Sequence, residues 1–93
     1  MRIAVCDDDR AIREELSRLI QKQVSEVDIV EYQSGEELIN AKGNFDIYFL
    51  DIEMGKVSGM DIARRIREQE ENSRKRSIII FCDRVSGIHG SGV

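Results

Sequence analysis

Residues Ile3 to Arg10 read "IAVCDDDR", a short apolar run that ends in three consecutive aspartates, Asp7, Asp8 and Asp9. The apolar part describes a strand covered on both faces, and the acids describe its exit into a polar edge. Like charges packed this closely repel. Two ionised carboxylates roughly 4 Å apart, at an effective dielectric near 20, cost on the order of 4 kcal/mol. A cation or water has to collect that charge.

Working outward, four apolar runs alternate with helical patterns: "RIAVC", "VDIVEY", "DIYFL" and "SIIIF". Between the first two, Ile12, Leu16, Leu19, Ile20 and Val24 recur at three-and-four spacing, which predicts an amphipathic helix. "SGEEL" announces a second, short helix, with Ser34 as cap and Glu37 three residues on as its capping-box partner. "GMDIARRIREQEE" predicts a third, with Met60, Ala63 and Ile66 as the inward stripe. Strands alternating with helices predict parallel βαβ units. The expected architecture is a flavodoxin-like, doubly wound parallel sheet in a three-layer α/β/α sandwich. Its strand order is 2-1-3-4, with the fifth strand and last helix missing.

Composition narrows the function. The 93 residues suit one small domain, 41% hydrophobic and 34% charged, and no apolar run approaches the roughly 20 residues of a membrane span. The opening is too short and too soon acidic for a signal peptide. A net charge of −4 argues against direct nucleic-acid binding and against an anionic membrane. The basic cluster Ser73–Ser77, "SRKRS", reads as a solvated loop. Cys6 and Cys82 each end an apolar run, so they read as small buried hydrophobes in a reducing cytoplasm.

In a right-handed parallel sheet the carboxyl ends of the strands share one edge, where ligands bind. Asp7 and Asp8 follow strand one, Asp51 follows strand three, and the order 2-1-3-4 makes these strands neighbours. The three carboxylates are expected to converge on a divalent cation. Oxygen-only ligands at a wet edge suit Mg²⁺ or Mn²⁺. Asp9, beside the first helix, reads instead as a helix cap.

"VCDDD", then "FLDIEM" with Gly59 beyond Asp51, set in this βα alternation, resemble the receiver domain of bacterial two-component response regulators. "DIYFLDIEM" followed by "GMDIARRIRE" is most similar to receivers that precede a LytTR-type DNA-binding domain. The resemblance implies a phosphoacceptor rather than an enzyme, with Asp51 taking a phosphoryl group from a sensor histidine kinase in the cytoplasm. It implies Asp8 as a direct Mg²⁺ ligand, Asp7 as a ligand through water, and Glu53 as a ligand through its backbone carbonyl. Gly55 stands where the family usually has proline, a departure expected to affect only loop stiffness.

Two other readings compete. A haloacid-dehalogenase-like phosphatase would use Asp7 as nucleophile and Asp9 as general acid, but it needs Thr or Val where Ala11 stands and gives Asp51 no task. An inactive binding fragment is the other. Receivers normally carry Ser or Thr at the end of strand four and a Lys after strand five. Here Asp83 occupies the hydroxyl position and no lysine follows.

After Phe81 the pattern changes abruptly. Residues 1–82 read as a truncated receiver and 83–93 as a non-native, glycine-rich tail with neither helical period nor strand alternation. His89 within it lacks partner ligands. A shift of reading frame accounts for the change, because synonymous codons for Cys82 to Val93, read one base later, encode Val-Thr-Ala-Phe-Arg-Glu-Tyr-Met-Glu-Ala-Ala. The expected parent is longer, with a C-terminal DNA-binding domain. Losing the last strand would expose strand four as an apolar edge. That edge predicts a homodimer, through strand four or by exchange of elements, that also pins the tail.

Overall fold

The computed structural model describes residues 1–41, 43–83 and 87–89. In chain order these form β1 (Arg2–Cys6), α1 (Arg10–Gln23), β2 (Asp28–Tyr32), α2 (Gly35–Ala41), β3 (Ile47–Asp51), α3 (Gly59–Gln69), β4 (Ile78–Asp83) and β5 (Gly87–His89). The sheet order is β2-β1-β3-β4-β5, and the first four strands are parallel as expected.

Strand alternation sorts the core into two faces. Ala4, Cys6, Tyr48 and Leu50 pack with Leu38 of α2 and with Ile62 and Ile66 of α3. Ile3, Val5 and Cys82 pack with Leu16 and Ile20 of α1. β1 is buried on both faces from Ile3 to Cys6, which is why it reads as an unbroken apolar run.

The helices begin where their caps dictate. Asp9 caps α1, accepting from the amides of Ala11 and Ile12, and Ser34 Oγ accepts from the Glu37 amide at 3.1 Å ahead of α2. Two inward assignments change. Leu19 is 42% and Met60 57% exposed. On α3 the buried residues are Gly59, Ile62 and Ile66, a stripe rotated by about one position from Met60, Ala63 and Ile66. The cause is Gly59: a Cβ there would lie 2.4 Å from the Asp51 carbonyl oxygen. Only a glycine allows that approach, and seating it turns Ile62 and Ile66 onto the sheet.

The tail also differs. Gly87–His89 pairs antiparallel with β4, in register Phe81↔His89, Cys82↔Ile88 and Asp83↔Gly87. Main-chain hydrogen bonds at an open edge suffice for such pairing, so no alternating pattern announced it. Strand four is therefore not the wholly open edge expected. Its outer side is covered along Phe81–Asp83, and Ile78, at the other end of the strand, is 58% exposed. Residues 90–93, and with them the expected pinning of the tail, lie outside the described residues.

Candidate functional site

The three acids meet where the fold places them. β1 and β3 are adjacent, with Cys6 opposite Leu50, so the residues just past Cys6 face Asp51 across one strand spacing. One carboxylate oxygen from each of Asp7, Asp8 and Asp51 lies within 4.8 Å of the others. Asp7 and Asp51 are only 3% and 2% exposed, whereas Asp8 is open to solvent.

Each buried acid is held by the backbone of its own loop. Asp7 Oδ1 accepts from the Asp9 amide at 2.9 Å, and Asp51 Oδ1 accepts from the Glu53 amide at 3.2 Å. The Asp7 amide donates to the Tyr32 carbonyl at 3.1 Å, extending the β1–β2 ladder by one residue. The loop after β3 closes on itself through Gly59 N to Ile52 O at 3.0 Å, and Ile52 N donates to Cys82 O at 3.2 Å. Gly55 in this loop has φ of +51°. A proline ring fixes φ near −65°, so this departure from the family alters the loop's path and not only its stiffness.

Burial, and then the neighbouring Asp7 carboxylate, push the Asp51 carboxyl up from 3.8 to about 6. This is the electrostatic mark of acids gathered for a positive ligand. An all-oxygen donor set, part buried and part wet, fits Mg²⁺. Asp7, Asp8 and Asp51 are the residues that would hold it.

Asp9 stays out of this cluster. Its Oδ1 accepts from Ala11 N at 2.9 Å and Ile12 N at 3.3 Å, the cap expected, and this commitment weighs against a general-acid role. Both cysteines are free and buried, also as expected. Burial pushes the Cys6 thiol up to about 12 and Cys82 to about 11, and Cys6 Sγ rests on Met54 Sδ at 3.4 Å. Such thiols are inert packing groups. In the basic loop Arg74, Lys75 and Arg76 are exposed, as a solvated loop requires, but its last residue, Ser77, is buried, its hydroxyl donating to Glu70 Oε2 at 2.6 Å. Asp83 ends β4 one residue past Cys82, the register partner of Asp51. The side chains of Asp83 and His89 lie outside the described residues. Arg13 escaped the sequence reading: its Nη1 donates to the Asp7 carbonyl at 2.8 Å. Its only signal was a place one turn past the Asp9 cap.

Fold and site together define a receiver. Residues 3–86 match the response regulator receiver domain family, and the chain belongs to that family. It is similar to the sensory transduction protein LytT of Oceanobacillus iheyensis, with 35% identity over 81 residues, 85% of this chain and 32% of that protein. The chain thus spans about a third of that relative. Its fold is similar to the Thermotoga maritima response regulator TrrA, solved in complex with Mg²⁺–BeF, with 34% identity and a TM-score of 0.77 over 91% of this chain and 70% of that one. It is also similar to TrrA solved in complex with the histidine kinase ThkA, with a TM-score of 0.75 over the same shares.

Proposed function

We propose that Asp51 accepts a phosphoryl group from a sensor histidine kinase, with Mg²⁺ held by Asp7, Asp8, Asp51 and the backbone carbonyl of Glu53. The observation that carries this reading is the convergence of three carboxylates around an acid whose pKa burial and Asp7 raise to about 6. The complexes of TrrA with Mg²⁺–BeF and with ThkA support the cation and the kinase. Mn²⁺ has the same ligand preference and would substitute.

In the transfer, a carboxylate oxygen of Asp51 attacks phosphorus as the P–N bond to the kinase imidazole breaks, and the imidazole departs with the electron pair. When bound, the cation neutralises charge on the phosphoryl oxygens. This chain's own contribution is placement. The Glu53 amide fixes one Asp51 oxygen, and the glycine-tight β3–α3 loop sets the strand end from which the nucleophile projects. In sequence, Asp83 stands where receivers usually carry the hydroxyl, so that donor is replaced by a carboxylate and a slow reaction is expected. The protein works in the cytoplasm in this reading, and no helix among the described residues is long and apolar enough to cross a membrane.

Residues 1–82 act as a truncated receiver impaired in signalling, 83–93 are a frame-shifted tail, and the parent carries a C-terminal DNA-binding domain. Sequencing one base out of frame for a Val-Thr-Ala phrase tests this. The outer side of β4 around Ile78, or an exchange of elements, joins two copies. Light scattering at micromolar concentration checks the dimer, and a clean monomer excludes it.

The decisive experiment is intact-mass analysis after acetyl phosphate and Mg²⁺, on the wild type and Asp51→Asn. One slow phosphoryl adduct, absent from Asp51→Asn, is expected. An adduct that survives Asp51→Asn overturns the assignment, and no adduct at all leaves the binding-fragment reading.

A further inference from the structure

Arg13 stands one turn inside α1 and reaches back over the end of β1. Its Nη1 donates to the Asp7 carbonyl at 2.8 Å, while its Nε faces Glu31 Oε1 on β2 at 3.5 Å, with the arginine side chain only 13% exposed. Among the contacts that hold Asp7, its amide donates to Tyr32 O, its Oδ1 accepts from the Asp9 amide and its carbonyl accepts from Arg13.

The contact from Arg13 differs in kind from the other two named here. The Asp7 carbonyl belongs to the rigid peptide plane that also contains the amide and Cα of Asp8. Fixing that oxygen fixes the base from which the solvent-exposed Asp8 carboxylate projects. A guanidinium is otherwise a poor neighbour for a cation site, because its charge repels the ion. Its planar fork, by contrast, suits holding two oxygens at once.

We infer that Arg13 is a positioning residue for the acidic cluster: oriented by Glu31, it locks the Asp7–Asp8 peptide plane so that Asp8 is preset toward Asp7 and Asp51. This rests on the cluster binding a divalent cation. Position and charge predict opposite signs. Loss of a positive charge alone tightens cation binding, whereas loss of the lock weakens it.

The test is Mn²⁺ affinity of the full chain, measured from free Mn²⁺ by electron paramagnetic resonance, with circular dichroism to verify folding. Wild-type binding that disappears in Asp8→Ala establishes the site, and its absence in the wild type would sink the underlying cation reading. Arg13→Gln is expected to bind about tenfold more weakly, the scale of losing a group that orients a metal ligand. Arg13→Lys keeps the charge but not the fork, so a loss of affinity is again expected, with no relief from reduced repulsion. Equal or tighter affinity in a folded Arg13→Gln overturns the inference. Should that variant not fold, unchanged affinity in Arg13→Lys does so.

Discussion

Two aspartates bracket β3, and they meet opposite surroundings. Asp51 closes the strand among acids, and burial and Asp7 raise its carboxyl to about 6. Asp46 precedes it at the other edge of the sheet, where it accepts from the Arg2 amide at 2.7 Å and pairs with Lys75. Those partners hold its carboxyl below the ordinary value of 3.8. Around it Arg2 also meets Asp28 at 3.3 Å and lies over the Phe45 ring at 4.7 Å. One edge pairs its carboxylate with a lysine, and the other gathers three carboxylates, with Arg13 bonded to the Asp7 backbone carbonyl. A fold seeking only stability has no use for the second arrangement, so the contrast locates function.

Converting one end toward the other gives the largest effect. Asp51→Asn keeps an oxygen for the Glu53 amide and removes the charge. Phosphoryl labelling is expected to vanish, while the cation-free protein at pH 7.5 becomes more stable by about 2 kcal/mol, the order of a two-unit pKa displacement discounted for relaxation. Thermal or urea denaturation in EDTA checks the second part. A less stable variant would mean that Asp51 is no more strained than Asp46.

Adding the missing charge instead should stabilise only the upper edge. Mg²⁺ at a hundredfold excess over its dissociation constant contributes about 2.7 kcal/mol by mass action. Asp8→Ala should abolish that gain, and Asp46→Asn should leave it intact. A wild-type melting temperature unmoved by divalent titration would count against the site.

Acid separates the two ends by sign. Because the folded pKa of Asp51 is raised, the folded state takes up a proton before the unfolded chain does. Its ionisation therefore costs stability as pH rises from about 4 through about 6. Between pH 7.5 and 5 the cation-free protein should gain about 1 kcal/mol from this group, and saturating Mg²⁺ should remove the gain by keeping the carboxylates ionised. Denaturation at the two pH values, with EDTA and with Mg²⁺, reads both.

The acidic edge was legible because its signal is local: two apolar runs ending in Asp, with a strand order that makes them neighbours. The balanced edge was not, since Arg2, Asp46 and Lys75 are distant in sequence and ordinary as residues. Helix faces were legible only to within a position. Periodicity ranks Met60 with Ile66, and it is the close seat of Gly59 on the Asp51 carbonyl that turns Met60 outward. β5 left no side-chain pattern, because a three-residue strand is too short to show alternation and its pairing to β4 is made by the main chain. Arg13 was hidden for a different reason. A polar residue on an amphipathic helix reads as solvent-facing, and nothing in its spacing says that it bends back to a carbonyl.

The smallest effect belongs to the edge that already balances itself. Asp46 has its folded pKa lowered, so its contribution is present above the ordinary carboxylate range and is lost as pH falls through the folded value. Its carboxylate partners are the Arg2 amide and an exposed lysine, and pairs of that kind contribute little in water and less in salt. Asp46→Asn should lower the melting temperature slightly at pH 7, by an amount that shrinks in 1 M salt and disappears in acid, where both proteins carry a neutral group. The Asn oxygen can still accept from the Arg2 amide, which limits the loss to the Lys75 attraction. Mn²⁺ affinity should not move, since the substitution lies at the opposite end of β3 from the acidic cluster. A destabilisation as large as the gain from Asp51→Asn, or one indifferent to salt, would show that the lower edge is held by more than exposed pairs.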